Sequence, residues 1–366
     1  MKPRRVIISG GGTGGHLFPA LVLGRKLRER DPQVELTYVG SGREVERRIM
    51  AEQGFPTITL RIEGLKGRGW RSLGALALLP LAFLKSLAVL VRLRPRLVVG
   101  VGGFSSGPIV LLAAWLRVPT VILEQNVRPG FTNRILVRWV RVAVAAFDAT
   151  LPALRGKGVR LGNPVREEFY RVKPKKREGP FALLVFGGSQ GSRFLNERVP
   201  AALALLQGRR PDLAVVHQTG ERELGEVRRR YDAAGFAAAE VAAFLPDMSD
   251  RAAAADLVVC RAGATTIAEL IAARRAAVLV PFAGAAEDHQ TVNARELARA
   301  GGAEVVPEAE ATAERLADRI GHYLDHRNEL DVMEGALAPL ATPDAADRIA
   351  DLCRGLIERR FEGGPS

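Results

Sequence analysis

Two glycine-rich turns, each directly after a short β-type run, constrain the fold of this chain most strongly. The run at residues 6–8 leads into GGGTGGH at residues 10–16, and the run at residues 181–186 leads into GGSQGS at residues 187–192. Glycines there let the backbone turn tightly and approach a ligand, and the N–H groups of a following helix favour an anion or a hydroxyl-rich group. The repeat predicts two Rossmann-like units, one in each half.

Short β-rich runs alternate with helical patterns through both halves, which is typical of parallel α/β domains. The predicted strands lie at residues 6–8, 36–39, 97–99, 120–123 and 142–144, and then at 181–186, 214–216, 257–259 and 277–280. A length of 366 residues agrees with about two domains. The turn-forming Gly162-Asn163-Pro164 places the boundary after Asn163.

Charge is distributed unevenly along the chain. Residues 1–163 contain 26 Lys and Arg against 9 Asp and Glu, whereas the remainder contains 27 against 31. This asymmetry indicates a polyanionic partner for the first half, either nucleic acid, anionic lipid or a phosphorylated substrate, although a merely soluble basic surface is the alternative. No nucleic acid is expected, because the basic residues are not interleaved with aromatic ones and no helix-turn-helix or RNA-recognition signature occurs.

Several classes of site are disfavoured by motif spacing. Cys260 and Cys353 form no CxxC or Cys/His pattern, so neither a disulfide framework nor a structural zinc site is predicted. Gly10, Gly12 and Gly15 match G-x-G-x-x-G, but the second strand is not followed by the acidic residue that would hold an adenosine ribose. NAD is therefore disfavoured. A phosphate loop of the G-x-x-x-x-G-K-[ST] type is also absent, which disfavours nucleoside triphosphates.

A third glycine turn, CRAGATTIAE at residues 260–269, follows a predicted strand and opens a predicted helix. The backbone N–H groups of residues 264–266 would be available to a diphosphate, and Glu269 could accept hydrogen bonds from ribose hydroxyls. The alternative is that Glu269 is only a favourable acid in the first turns of a solvated helix.

Together the motifs resemble the MurG family, bacterial enzymes that transfer N-acetylglucosamine from its uridine diphosphate to lipid I in peptidoglycan synthesis. The matching segments are residues 11–16, 102–108, 124–126, 162–166, 187–191, 260–269, 289–290 and 293–294. The resemblance implies the glycosyltransferase B architecture, in which two Rossmann-like domains face each other across a cleft. It implies an acceptor and membrane-associating domain at 1–163, a donor domain at 164–341 and, at 342–366, a helix that returns to the first domain.

The resemblance also implies the donor contacts. Uracil is expected near the Leu245 backbone and ribose on Glu269. The diphosphate is expected at the helix start formed by Ala264, Thr265 and Thr266, near Ser189 and Arg166. Gln290 and Asn126 would hold the sugar, and the first domain would contribute Thr13, Gly14 and Gly15. Arg261 is included among the donor residues, with pairing to an acid as the alternative.

His16 is the predicted general base, since a positioned imidazole could take the acceptor hydroxyl proton as the new bond forms. The alternatives are that His16 only orients the glycine turn, or that Glu124 is the base. Leu123 stands where the family often has a histidine, which puts an acceptor role at that position in doubt. No D-x-D acid pair accompanies the glycine turns, so no metal or cofactor is expected. A related UDP-sugar transferase with another lipid acceptor is the competing function.

Residues 73–93 form an apolar helical pattern with basic flanks, including Arg71 and Arg94. The stripe of Leu76, Leu79, Phe83 and Leu87 is predicted to contact anionic lipid on the cytoplasmic face of the membrane, as a peripheral attachment. Burial in the protein core or in a dimer is the alternative. Pro80, Lys85 and Arg92 interrupt the pattern, so it is not expected to span a bilayer, and the N-terminal residues lack the apolar region of a secretory signal.

Overall fold

The computed structural model describes residues 4–11, 14–60, 71–206, 208 and 213–362. The chain divides into two compact units: the first extends to Val165 and resumes at Asp344, and the second comprises Arg166–Pro343. The predicted boundaries, after Asn163 and after Ala341, lie close to these divisions. Each unit is built on its own parallel sheet.

The first sheet has seven parallel strands. In spatial order they are β3 (Thr57–Thr59), β2 (Val34–Gly40), β1 (Arg4–Ser9), β4 (Leu97–Gly100), β5 (Thr120–Glu124), β6 (Val142–Ala145) and β7 (Gly158–Arg160). The order reverses between β1 and β4, and loops at the carboxyl ends of strands flanking such a reversal commonly form ligand sites.

The second sheet has six parallel strands and repeats this topology. In spatial order they are β10 (Glu240–Ala242), β9 (Leu213–Gln218), β8 (Phe181–Phe186), β11 (Leu257–Cys260), β12 (Ala277–Leu279) and β13 (Ala303–Val305). Here the reversal lies between β8 and β11. Two α/β units of the predicted kind are thereby confirmed.

Helices connect the strands, as parallel pairing requires. Those before β8 are α1 (Gly14–Arg30), α2 (Glu44–Glu52), α3 (Arg71–Leu93), α4 (Ser106–Trp115), α5 (Phe131–Leu136) and α6 (Glu167–Tyr170). Those after β8 are α7 (Arg193–Leu206), α8 (Leu224–Ala233), α9 (Met248–Ala254), α10 (Ala264–Ala273), α11 (His289–Arg299), α12 (Ala313–Asp325), α13 (Arg327–Leu337) and α14 (Ala345–Glu362). Short 3₁₀ turns occur at Asp148–Leu154, Glu221–Glu223, Ala286–Asp288 and Ala338–Leu340.

Strand alternation builds a core on both faces of the first sheet. Val6 and Ile8 of β1 belong to one apolar cluster, whereas Ile7 between them belongs to another. The first cluster includes Ile349 and Cys353 of α14, so the last helix of the chain packs on the first unit. Both faces are therefore covered, as the continuous apolar strands of a parallel sheet require.

An ion pair at the surface accompanies this packing, since Asp347 of α14 accepts a 2.9 Å hydrogen bond from Arg30 of α1. No helix within the described residues has the length and apolar character needed to cross a bilayer.

Candidate active site

The glycine turn after β1 is anchored by a buried carboxylate. Glu46 of α2, only 5 % exposed, lies 2.6 Å from the Tyr38 hydroxyl, which is also 2.8 Å from the Gly10 carbonyl oxygen. Glu46 further accepts hydrogen bonds from the Ser41 hydroxyl at 2.8 Å and the Gly42 N–H at 3.0 Å. Burial, followed by the neighbouring Glu46 charge, raises the pKa of Tyr38 well above its usual value. Glu46 therefore joins β2 to the turn that follows it and, through the Tyr38 hydroxyl, to the Gly10 carbonyl.

His16 lies in the first turn of α1 and is half-buried. Gly102, which follows β4, has φ of 100°, and a Cβ atom there would lie 2.6 Å from His16 Cε1. A Cβ at Gly103 would overlap the Gly11 carbonyl oxygen. The turns after β1 and β4 therefore interlock through their glycines, which leaves room for the imidazole at the carboxyl edge of the sheet. Gly14 and Gly15 begin α1, and Thr13 lies outside the described residues.

Glu124 ends β5 and is 3 % exposed. Its Oε1 accepts from both the N–H and the side-chain Nδ2 of Asn126, at 2.9 and 3.1 Å. Its Oε2 accepts from the Gly130 N–H at 3.0 Å and from Asn133 Nδ2 at 2.8 Å. Burial raises the pKa of Glu124, and these hydrogen bonds oppose that rise. Four hydrogen-bond donors fix the carboxylate in place. Glu124 therefore stabilises the loop after β5, which contains Asn126.

The glycine turn after β8 packs backbone against backbone. Gly191 has φ of 74°, and a Cβ there would overlap the carbonyl oxygen of Thr219, which follows β9. Ser189 is exposed at the tip of this turn. The glycine spacing therefore closes the turn and leaves a hydroxyl at the carboxyl edge of the second sheet.

Gln218 was not singled out by sequence, yet it joins two predicted donor segments. This amide, 2 % exposed at the end of β9, donates to the Gly188 carbonyl at 2.9 Å and accepts from the Leu245 N–H at 2.8 Å. Leu245 is buried, and its N–H is thereby engaged. The available signal was a polar residue at the carboxyl end of a strand.

Arg261, one of the predicted donor residues, contacts the turns after β8 and β12. Its side chain, 7 % exposed, donates to the Ser192 hydroxyl at 3.0 Å and the Val280 carbonyl at 3.1 Å, and it pairs with Glu308. The guanidinium also lies 5.4 Å from the Phe282 ring centre. These contacts fit the alternative of acid pairing, and they make Arg261 a buried brace between the turns after β8 and β12.

The start of α10 has the geometry of an anion site. Gly263 is extended, with φ of −65° and ψ of 148°, and provides no side-chain cap to the helix. The first backbone bond of the helix comes from Ile267 N–H to the Gly263 carbonyl at 2.9 Å. The N–H groups of Ala264, Thr265 and Thr266 precede that bond, so they lie in the first turn of the helix, whose N–H groups point toward its N-terminal end.

Glu269 and Arg166 form a direct pair. Arg166 Nη2 lies 3.0 Å from Glu269 Oε1, and the Glu269 side chain is 13 % exposed. Burial raises the pKa of Glu269, while the Arg166 charge opposes the rise. Arg166 also lies over the Phe169 ring, 4.8 Å from its centre. The predicted ribose and diphosphate residues are therefore adjacent.

Gln290 of α11 is fixed by its amide oxygen. Its Oε1 accepts from the N–H groups of Ala262 and Phe282, at 3.2 and 3.0 Å, which follow β11 and β12 respectively. Asn293, one turn later, donates to the Ala262 carbonyl at 3.4 Å. With the oxygen used internally, the Gln290 NH₂ group is oriented as a donor.

The geometry defines a class: two doubly wound units with a polar loop cluster at the carboxyl end of each sheet are the architecture of glycosyltransferase B enzymes. Residues 6–145 match the glycosyltransferase family 28 N-terminal domain and residues 182–349 its C-terminal domain. The chain belongs to this family, in the branch formed by the MurG-type transferases.

The similarities extend over nearly the whole chain. A UDP-N-acetylglucosamine--N-acetylmuramyl-(pentapeptide) pyrophosphoryl-undecaprenol N-acetylglucosamine transferase of Myxococcus xanthus (strain DK1622) is 45 % identical over 367 residues, covering 99 % of this chain and 95 % of the relative. The crystal structure of MurG from Acinetobacter baumannii superposes with a TM-score of 0.76 at 31 % identity, covering 96 % of this chain and 100 % of that one. A UDP co-structure of MnaA from S. aureus, at 14 % identity and a TM-score of 0.71, shares the fold and covers 94 % of this chain and 95 % of its own.

Proposed function

We propose that this chain transfers N-acetylglucosamine from UDP-N-acetylglucosamine to the muramoyl 4-hydroxyl of lipid I, which yields lipid II and UDP. The observation that carries the donor assignment is the Arg166–Glu269 pair beside the start of α10, where an extended glycine precedes the first turn. Helix-start N–H groups and a guanidinium suit a diphosphate, and a buried carboxylate suits ribose hydroxyls. The acceptor, lipid I, is inferred from the family to which the chain belongs.

The remaining donor contacts follow from what each group has left to offer. Because the Leu245 N–H is donated to Gln218, the Leu245 carbonyl is the group to pair with the uracil N–H. The Gln290 NH₂ group, with its oxygen already used, donates to the transferred sugar. Ser189 contacts the diphosphate, and Thr13, Gly14, Gly15 and Asn126 are the contacts proposed from the first unit.

In the reaction, the acceptor oxygen attacks the anomeric carbon as the bond from that carbon to the diphosphate oxygen breaks. The proton of the acceptor hydroxyl passes to His16, and UDP leaves with the bonding electrons. The Arg166 guanidinium and the backbone N–H groups at the start of α10 stabilise the charge that develops on the leaving diphosphate. Glu124 is less suited to be the base, since four donors already hold it. We propose that no metal or cofactor takes part.

A direct assay tests the donor assignment. Purified chain with labelled UDP-N-acetylglucosamine and a short-chain lipid I analogue is expected to form the disaccharide, and Glu269→Ala is expected to weaken UDP binding by about 1–3 kcal/mol in calorimetry. Glu296→Ala on α11 is the matched control and should bind UDP normally. Unchanged UDP affinity in folded Glu269→Ala would contradict the ribose assignment. If the chain transferred the sugar to a different lipid-linked acceptor and not to the lipid I analogue, the acceptor assignment would be wrong and the donor assignment would stand.

We further propose that α3 seats the first unit on anionic lipid at the cytoplasmic face of the membrane. Its most exposed apolar side chains are Leu84 at 65 %, Leu81 at 61 % and Val91 at 59 %, with Leu87 at 38 %. Their spacing places them along one side of a helix. Of the predicted stripe, Leu79 and Phe83 are half-buried, and the Leu76 side chain lies outside the described residues. The contact therefore centres on Leu84 and its neighbours.

Lys85 and Arg92 are exposed beside this surface, and basic side chains near anionic lipid each contribute about 1 kcal/mol. Sedimentation with vesicles containing anionic lipid should show binding that weakens with salt. Leu84→Glu should reduce it, whereas Val332→Glu, at a 72 % exposed position of α13, should not. If folded Leu84→Glu protein sediments like the wild type, α3 is not the lipid contact.

A further inference from the structure

The junction of α12 and α13 brings two histidines and a glutamate together, away from every residue assigned to the donor. His322 lies in the last turn of α12, His326 between the helices and Glu329 in the first turn of α13. One candidate ligand atom from each lies within 4.8 Å of the other two. Within the part of the chain that the structure describes, this is the one such group of three.

The His326 ring is oriented by the backbone. Its Nδ1 lies 2.9 Å from the His322 carbonyl oxygen, which only accepts, so Nδ1 carries the proton and Nε2 carries the lone pair. A hydrogen bond of this kind from the second ring nitrogen is the usual support of a metal-binding histidine. The two imidazoles stack, with centres 4.5 Å apart and planes 21° apart, so their nitrogens are presented side by side.

The third side chain supplies negative charge. Glu329 Oε2 lies 2.7 Å from His322 Nε2. Its carboxylate supplies an oxygen ligand beside the two imidazoles. Glu329 Oε2 and His322 Nε2 are therefore already neighbours, and a small separation would let both bind one cation.

We propose that His322, His326 and Glu329 form a binding site for a divalent transition metal of the Zn²⁺ class. Two imidazole nitrogens and one carboxylate oxygen suit Zn²⁺, Ni²⁺ or Cu²⁺, whereas Mg²⁺ and Ca²⁺ prefer oxygen ligands throughout. With bonds of about 2.0–2.2 Å, the ligand atoms of one metal lie about 3.3 Å apart. His322 Nε2 and Glu329 Oε2, now 2.7 Å apart, would separate slightly, and atoms as far as 4.8 Å apart would approach by about 1.5 Å, which partly exposed side chains can accommodate. Water completes the coordination at this surface.

The metal would join the end of α12 to the start of α13. Its site is separate from the transfer chemistry, because none of the proposed donor residues lies on either helix. A ligand that binds only the folded state stabilises it, so metal binding here should stabilise the second unit. Metal binding here needs unprotonated nitrogen and carboxylate atoms, so protons compete with the metal for the site.

Calorimetry of the full, untagged chain with ZnCl₂ at pH 7.5 tests the site. One Zn²⁺ per chain is expected, and His326→Ala and Glu329→Gln should each weaken binding at least about tenfold. His289→Ala is the matched control, because Nδ1 of His289 also lies near a backbone carbonyl, that of Ala286 at 2.7 Å, but His289 is not part of the cluster. Zn²⁺ should raise the unfolding temperature of the wild type and His289→Ala, but not of His326→Ala.

Two outcomes would overturn the proposal. One is the absence of saturable Zn²⁺ binding to the wild type, which would leave His322 and Glu329 as a surface ion pair. The other is wild-type affinity in a folded His322→Ala/His326→Ala protein, which would place the ion elsewhere. MgCl₂ is the reference titration, since binding as tight as that of Zn²⁺ would contradict the assigned class of metal. None of these results depends on whether the chain transfers a sugar.

Discussion

The glycine turns of the two units occupy equivalent places in their sheets but are held by different chemistry. In the first unit, buried carboxylates hold the loops by hydrogen bonds: Glu46 anchors the turn after β1, and Glu124 anchors the loop after β5. In the second unit the carboxylate of Glu308 is paired with Arg261, and uncharged amides make the other links: Gln218 joins the turn after β8 to Leu245, and Gln290 joins the turns after β11 and β12.

The difference matches the charge of what each turn is proposed to handle. A buried carboxylate close to a diphosphate would repel it strongly in a medium of low dielectric constant, whereas an amide offers the same donor and acceptor without net charge. The carboxylate beside α10, Glu269, is paired with Arg166. The task proposed for the first unit is to take up a proton, and negative charge in the supporting loops would favour that. Each prediction below tests this division.

The largest expected effect is on turnover. His16→Ala should lower kcat by about 10²–10⁴-fold and leave the affinity for UDP unchanged, because a general base acts on the acceptor proton and not on the donor. Steady-state kinetics with a lipid I analogue, alongside UDP calorimetry, measures both quantities. A loss confined to KM would make His16 a positioning residue, and a larger kcat defect in folded Glu124→Gln would move the base to Glu124.

The next effect is on stability. Glu124→Ala leaves the Gly130 N–H and the Asn126 and Asn133 amides without their acceptor, so the first unit should lose about 2–4 kcal/mol of unfolding free energy. Glu124→Gln, which keeps an acceptor oxygen, should lose less. Urea unfolding of both variants measures this. Equal stability of Glu124→Ala and the wild type would show that the carboxylate does not hold the loop.

The strands show which part of the fold the sequence determines locally. The nine predicted strands correspond to strands of the two sheets, and the four that were missed are β3, β7, β10 and β13. These four are the edge strands of both sheets, and each has three residues. An edge strand is covered less completely, so it needs no continuous apolar run, and the pattern that reveals central strands is lacking.

The candidate site shows which features local sequence patterns do not determine. Glycine turns and the start of α10 are local and were located from the motifs. Gln218 was missed because its partners, Gly188 and Leu245, are 30 and 27 residues away in sequence. The motif around Arg261 predicted a donor contact but did not identify its acidic partner, Glu308, which is 47 residues further on. Only the tertiary fold brings such partners together.

The amide side of the comparison is tested by Gln218→Met, which keeps the length of the side chain and removes both hydrogen bonds. UDP affinity should fall by about 1–3 kcal/mol, because the glycine turn and Leu245 lose their common anchor. Gln125→Met is the matched control in the first unit, where the buried Gln125 amide donates to the Val101 carbonyl at 2.9 Å. If Gln218→Met binds UDP as tightly as Gln125→Met does, Gln218 does not position the donor site.

The smallest effect concerns pH and the second unit. Burial lowers the pKa of His217 to about 3, and its Nδ1 lies 2.9 Å from the Tyr231 hydroxyl. The unfolded chain takes up a proton at this residue below about pH 6.5, whereas the folded chain does not until far lower pH. The contribution of His217 to stability is therefore complete well above pH 6.5 and falls by about 1.4 kcal/mol for each pH unit between 6.5 and 3. Urea unfolding of the second unit at pH 7.5, 6.5 and 5.5 should show this slope, and His217→Gln should flatten it. A wild-type slope that His217→Gln leaves intact would mean that other groups, Glu269 among them, set the acid sensitivity of this unit.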